Sequence, residues 1–217
     1  MNQNFKMQQA SRIVSDLATS QSRALNLAQP ELSRLFDVSK EDDATRSAYG
    51  MNLFGQGCLL ARRLVENGVR FVEVTLDGWD THQDNFARVG QLSQTLHSAF
   101  ANLMTDLRHR GLLQSTIIIC MGEFGRTPKI NANTGRDHWP HAWSAALAGG
   151  GLGRGAIVGA TSADGTHVKE RCVAVPDLIA TVATALGIDP RKQYDSNVGR
   201  PIRFAAPEAQ VLSELLA

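Results

Sequence analysis

Residues 69–76 read Val69-Arg70-Phe71-Val72-Glu73-Val74-Thr75-Leu76, and residues 115–121 read Ser115-Thr116-Ile117-Ile118-Ile119-Cys120-Met121. Both runs are apolar and rich in β-branched residues, so both predict buried strands. Between them Phe86, Val89, Leu96, Phe100, Leu103 and Leu107 recur at helical spacing. That periodicity predicts a helix over 86–109, ended by Gly111. Strand, long helix, strand is the pattern of a right-handed βαβ crossover with parallel strands. The expected fold class is therefore α/β.

Each expected strand leads into a polar loop. The first reads Gly78-Trp79-Asp80-Thr81-His82; the second runs from Glu123-Phe124-Gly125-Arg126 to Gly135-Arg136-Asp137-His138-Trp139. In open α/β sheets, ligands bind beyond the carboxyl ends of the strands. Carboxylates and histidines placed there suit a divalent metal site, which makes Asp80, His82, Glu123 and His138 the candidate ligands. Asp80 and His82 are two apart, so on a strand end both can face one ion. Imidazole and carboxylate donors suit zinc, iron or manganese. The alternative is a capping aspartate and a surface histidine in a turn. Glu123 is either a cap or a ligand. Asp137 and His138 are adjacent and point in different directions, so His138 can bind an ion while Asp137 orients a neighbouring ligand from behind. The alternative there is a plain polar loop. His141, three residues on, is a further candidate for such a supporting role.

Arg126 and Arg136 flank the second loop. They suit either a bidentate clamp on an anionic oxyacid or loop-bracing ion pairs. Thr81 and Thr127 lie near the motifs, but nothing ranks them as nucleophiles above hydrogen-bonding roles. Trp79 and Trp139 read as pocket walls or as core. His97, His109 and His167 read as solvated or packing residues. The chain has no G-x-S-x-G elbow, P-loop, H-E-x-x-H or dinucleotide-binding glycine motif. The glycines at 149–151 read as a turn between two further strands, at 143–147 and 156–158.

The remaining chain predicts mainly helices. Residues 5–28 carry a helical pattern that Pro30 interrupts or restarts. Residues 31–49 read as short helices and loops. Residues 51–67 predict a helix with a stripe of Leu53, Phe54, Leu60, Leu64 and Val65, stopped by Asn67-Gly68. A last long helix runs from Pro176 to Leu186, and a final apolar turn spans 211–216. At 217 residues the chain is long enough for one ordinary core. A net charge of +1 gives no electrostatic footprint for nucleic acid or an anionic membrane surface. No window carries the ~20 apolar residues of a membrane span. The first residues lack the basic start and apolar core of a signal peptide, so a cytoplasmic location is expected for the chain expressed alone. Cys58, Cys120 and Cys172 are far apart and read as small buried apolar residues rather than as a disulfide or thiolate cluster.

Taken together, GWDTHQDNF, TIIICMGEFGRTP, GRDHWPHAWSAALAGGG and PDLIATVATALGID resemble an uncharacterised bacterial family, domain of unknown function 1501. That family looks like a branch of the alkaline phosphatase and sulfatase superfamily. The resemblance implies a mostly parallel sheet flanked by helices, an alkaline phosphatase-like core spanning 51–217, and a separate helical segment at 1–50. It implies one or two divalent ions, zinc or else manganese or calcium, held by Asp80, His82, His138 and Glu123. It implies an anionic phosphate or sulfate ester as substrate, neutralised by Arg126 or Arg136. Three departures stand out. Where the superfamily places an Asp-His pair at a strand end, this chain has Glu123-Phe124. Asp80 and His82 are two apart where phosphatases space such ligands by four. The superfamily's first strand and nucleophile have no counterpart in residues 1–68, so the core is expected to be incomplete at its N-terminal side. The missing half or a homo-oligomer would then be the partner. Family members are usually exported. Two functional expectations follow: the metal-binding portion of a phosphatase- or sulfatase-like hydrolase, or a non-catalytic, metal-stabilised binding module of an exported bacterial protein.

Overall fold

The computed structural model describes residues 14–19, 21–22, 30–196 and 199–217. Most of the helix expected at 5–28 lies outside these residues; 14–19 and 21–22 are helical. Helix α1 (Pro30–Phe36) opens on Pro30, whose missing N–H costs nothing in a first turn. After a 3-10 turn at Val38–Lys40 come α2 (Asp43–Tyr49) and α3 (Leu53–Glu66). Asp42 and Asn52 cap these two helices by accepting from Thr45 N and Gly55 N. Helix α4 (Asn85–His109) matches the longest expected helix, and α5 (Val175–Ala185) the last one.

The helices carry the core. Tyr49, Cys58, Leu59 and Ala99 form one buried cluster, edged by Val38, Phe54, Val74 and Leu103. The buried face of α3 is Gly55, Cys58, Leu59, Ala61 and Arg62 rather than the expected stripe, and Leu53 is 96% exposed. Of that stripe, Phe54 edges the cluster and Leu60, Leu64 and Val65 are only half-buried, because α3 meets α2 and α4 through small and charged residues. Arg62 is buried and ion-paired to Glu41 (2.6 Å), Glu66 (2.9 Å) and Asp106 (3.5 Å). Tyr49 donates to the same Asp106. Arg63 pairs with Glu41 and donates to the carbonyls of Arg34 and Leu35, which binds the end of α1 to α3. Burial alone would raise the Glu41 carboxyl, but hydrogen bonds from Arg62 and Arg63 outweigh it and hold Glu41 below the usual carboxylate range. Of the cysteines, Cys58 is buried, its thiol pushed up to about 11 by desolvation, whereas Cys172 is exposed, contrary to the expectation that all three are buried.

The strands correct the sequence reading. Strand β1 (Ile117–Cys120) forms where expected, but its partner is β4 (Ala146–Gly149), and the pair is antiparallel. The mostly parallel sheet of an alkaline phosphatase-like core is absent among the described residues, where every ladder is a two-stranded antiparallel pair. The glycines at 149–151 explain the choice. Gly149 has φ 105°, and a Cβ there would lie 1.8 Å from the Thr116 carbonyl, so only glycine lets the returning chain close on β1. Gly149 closes β4, and Gly150 and Gly151 form the expected turn, with Leu152 N donating to the Gly149 carbonyl, but the chain then bridges to Leu216 rather than forming a strand at 156–158. Residues 69–76, read as the first strand, join no ladder. Residues 156–158 form no strand either, and Ile157 is 92% exposed. The other pairs are β2 (Gly125–Arg126) with β3 (His138–Trp139), β5 (Ala160–Thr161) with β6 (Val168–Glu170), and β7 (Gln193–Asp195) with β8 (Pro201–Arg203). No helix among the described residues is long and apolar enough to cross a membrane.

Replacing Arg62 with alanine leaves Glu41, Glu66 and Asp106 facing one another without their shared cation. We expect a loss of about 3–5 kcal/mol in urea unfolding, the usual cost of breaking a buried pair. The Glu41 contribution has a defined sign. Its folded pKa is depressed, so its stabilisation is complete above the unfolded carboxylate value of ~4.3 and is lost as pH falls through the lower folded value. Glu41→Gln should therefore lower stability at neutral pH and flatten the acid limb of the stability profile.

Candidate metal centre

Two loops far apart in sequence are locked together by backbone. Asp84 N and Asn85 N, at the start of α4, donate to the carbonyls of Asn133 and Thr134, and Arg136 N donates to the Thr81 carbonyl. Asn131 is the hub. Its side-chain amide donates to the His82 carbonyl and to Asp137 Oδ1, while its oxygen accepts from Asn133 N and Gly135 N. Thr81, fully buried, donates its hydroxyl to Asn85 Oδ1. Gly135 lies so close that a Cβ would sit 1.9 Å from the His82 carbonyl oxygen. Asp84 and Thr134, with φ of 49° and 56°, face each other across this junction. A β-branched residue is strained in that region, and such strain persists only where surrounding bonds over-determine the backbone.

The lock brings three side chains to one point. His138 Nε2 lies 2.8 Å from Asp80 Oδ1, His82 Nε2 lies 3.1 Å from the same oxygen, and the two Nε2 atoms are 3.2 Å apart. An ion bound tetrahedrally at ~2.0–2.1 Å needs donors roughly 3.3 Å apart, so the triangle is close to that size. His82 Nδ1 lies 2.8 Å from Asp137 Oδ1. A carboxylate only accepts, so Nδ1 carries the proton and Nε2 presents its lone pair to the centre. The residues therefore fit a divalent ion: Asp80, His82 and His138 converge as a possible metal-binding group. Two imidazoles and one carboxylate offer the mixed nitrogen and oxygen donors that divalent transition ions take.

The carboxyls are tuned accordingly. Asp80 is held below the usual range first by its hydrogen bond to His138, and Asp137 first by its bond to His82 and then by Asn131. Glu123 is lowered by its own backbone amide and by Arg126.

The other expected residues are placed as follows. Glu123 lies outside the triad and pairs with Arg126 at 3.1 Å. Arg126 is the ladder partner of His138, which sets the two side chains on one face. Its Nη2 stands 3.6 Å from Asp80 Oδ1, and the guanidinium also lies over the Phe124 ring, 5.2 Å from its centroid. Phe124 in turn packs on the His138 ring at 4.8 Å. Arg136 points into its own loop and donates to the carbonyls of Thr127 and Pro128. His141 packs edge-on against Trp139, and Trp139 donates to the Thr166 carbonyl. Sequence reasoning missed Asn131, and it marked Phe124 only as a departure at a ligand position, not as a wall against His138. Asn131 stands in an Asn-x-Asn-x-Gly run, a turn signal that could have marked a loop hub.

The chain matches, over residues 1–216, the family described as Protein of unknown function (DUF1501), and it belongs to that family. The match includes the helical segment that the resemblance had set apart at 1–50. No curated protein and no solved structure matches the chain.

Asp137→Asn should keep the fold, since Asp137 is half exposed, yet weaken zinc binding about 10- to 100-fold in calorimetric titration, the usual cost of losing a carboxylate behind a histidine ligand. Gly135→Ala should act by a different route. Forcing a methyl into the His82 carbonyl costs about 1–3 kcal/mol and separates the loops, so both melting temperature and zinc affinity should fall.

Proposed function

We propose that the chain carries the metal-binding portion of a phosphate- or sulfate-ester hydrolase. The observation that supports this most directly is the convergence of Asp80, His82 and His138 beside Arg126. When bound, a divalent ion there supplies Lewis acidity to an ester oxygen and to water. The chain's own residues do the rest. Asp137 fixes His82 in the tautomer that offers Nε2. Arg126, its side chain only 16% exposed, is held in a fixed direction and presents a planar donor fork to an oxyanion. Its partner Glu123 is 58% exposed and can swing into solvent to release that fork. Phe124 closes one side of His138 to water.

A second reading is a non-catalytic, metal-stabilised binding module, and one observation favours it. Both hydroxyls nearest the motifs in sequence are engaged: Thr81 donates to Asn85, and Thr127 donates to the Lys129 carbonyl while accepting from Asp137 N. Neither is free to attack an ester.

Zinc-loaded protein assayed on p-nitrophenyl phosphate and p-nitrophenyl sulfate separates the two. The hydrolase reading expects turnover that disappears in His138→Ala with the fold intact, and a KM about tenfold higher in Arg126→Ala, the cost of one charge-assisted hydrogen bond. The binding-module reading expects no turnover, and a zinc-dependent rise in melting temperature that His138→Ala abolishes.

A further inference from the structure

Residues 70–78 are the anomaly of this fold. Among the described residues, none of their backbone N–H or C=O groups takes part in a hydrogen bond; the chain is last bonded at Val69 N and next at the Trp79 carbonyl. Yet this is not a solvated loop. Val72, Val74 and Leu76 are half-buried, while Phe71, Glu73, Thr75 and Asp77 are exposed, a period of two that belongs to a strand. Val74 packs on the Tyr49–Cys58–Leu59–Ala99 cluster. Val74 thus ties this face to the helices, and among the described residues nothing pairs with the backbone edges. Backbone donors and acceptors that alternate at strand spacing are matched by another strand.

We propose that residues 70–76 are a strand-addition site for an extended segment of another polypeptide, one carrying apolar residues on its inward face and basic residues on its outward face. The inward requirement follows from half-buried Val72, Val74 and Leu76, which share one face of the segment, with Val74 packed on the helices. The outward requirement follows from charge. The outward face holds Phe71, Glu73, Thr75 and Asp77, with two carboxylates and no cation; Arg70 belongs to the other face. Pairing with a second copy about a two-fold axis would set these acids against the same acidic face, which is unfavourable. A lysine across from Glu73 or Asp77 relieves it, and one across from Phe71 lays its stem and ammonium on a ring that is 82% exposed. The edge lies N-terminal to Asp80 and needs no bound ion.

The test uses the full chain and a fluorescein-labelled acetyl-Val-Lys-Val-Lys-Val-Lys-Val amide, read by anisotropy and by amide hydrogen exchange. The expected result is saturable binding, with exchange slowed at residues 70–76, and no binding by a peptide N-methylated along one edge. Glu73→Lys alters an exposed side chain, so the fold should survive. It should weaken the lysine peptide about fivefold and strengthen a peptide with glutamate in place of lysine. Three results overturn the proposal. One is no binding by either peptide. Another is slow exchange at 70–76 in the free monomer, which places the partner strand within the chain. The third is protection that grows with protein concentration alongside a dimeric mass, which makes the partner a second copy.

Discussion

The site depends on one close approach, the Gly135 backbone against the His82 carbonyl. Every side chain of the triad is at least partly exposed, so apolar burial does not fix its position. Position comes instead from backbone bonds between the 81–85 turn and the 131–136 loop, with Asn131 serving both sides. Those bonds require the loops to meet at a distance that no side chain at residue 135 would allow. An ion held by Asp80, His82 and His138 would join the same two loops. Metal binding and loop docking would then be linked, and whatever undocks the junction would weaken metal binding.

The turn itself is held by the helical layer, because residue 85 is the first residue of α4. What fixes α4 against α3 is unusual in its balance. The buried apolar cluster is small, and large side chains such as Leu53 and Phe71 are exposed. At the centre stands Arg62 among three carboxylates, with Tyr49 donating to one of them. Buried ion pairs are weak sources of net stability, because desolvation offsets most of the attraction. Their value here is registry. Sliding α3 past α4 by one turn would take the buried guanidinium off Asp106, its partner on α4, and strip Asp106 of its cation, a penalty that small apolar residues such as Ala61 and Ala99 cannot impose.

Helices were the legible part of the sequence, because their periodicity is long and their stops at Asn67-Gly68, Gly111 and Gly187 are chemically specific. The convergence of Asp80, His82 and His138 was legible as residue types at the ends of two apolar runs. Strand pairing was not. A β-branched run reports burial, not its partner, and the residues that decided the partner of β1 were glycines whose close approach has no pattern in one dimension. The same limit hid Asn131, whose role lies in a contact 49 residues away. It also left open the direction of Arg136, which only the Thr127 and Pro128 carbonyls decide.

On the hydrolase reading, the charges around the triad would favour one order of binding. Asp80, Asp137 and Glu123 are all held below the usual carboxylate range, so all three are ionised at neutral pH. Against them stands one guanidinium, Arg126, already shared with Glu123 and close to Asp80. A surface with that balance attracts cations and repels oxyanions. A divalent cation held by Asp80, His82 and His138 would offset the local negative charge, and Asp80 engaged by it would hold Arg126 less, leaving the guanidinium more of its charge to offer. An anion that reached the site first would meet two carboxylates within the reach of Arg126, so cation before anion is the order that the electrostatics permit.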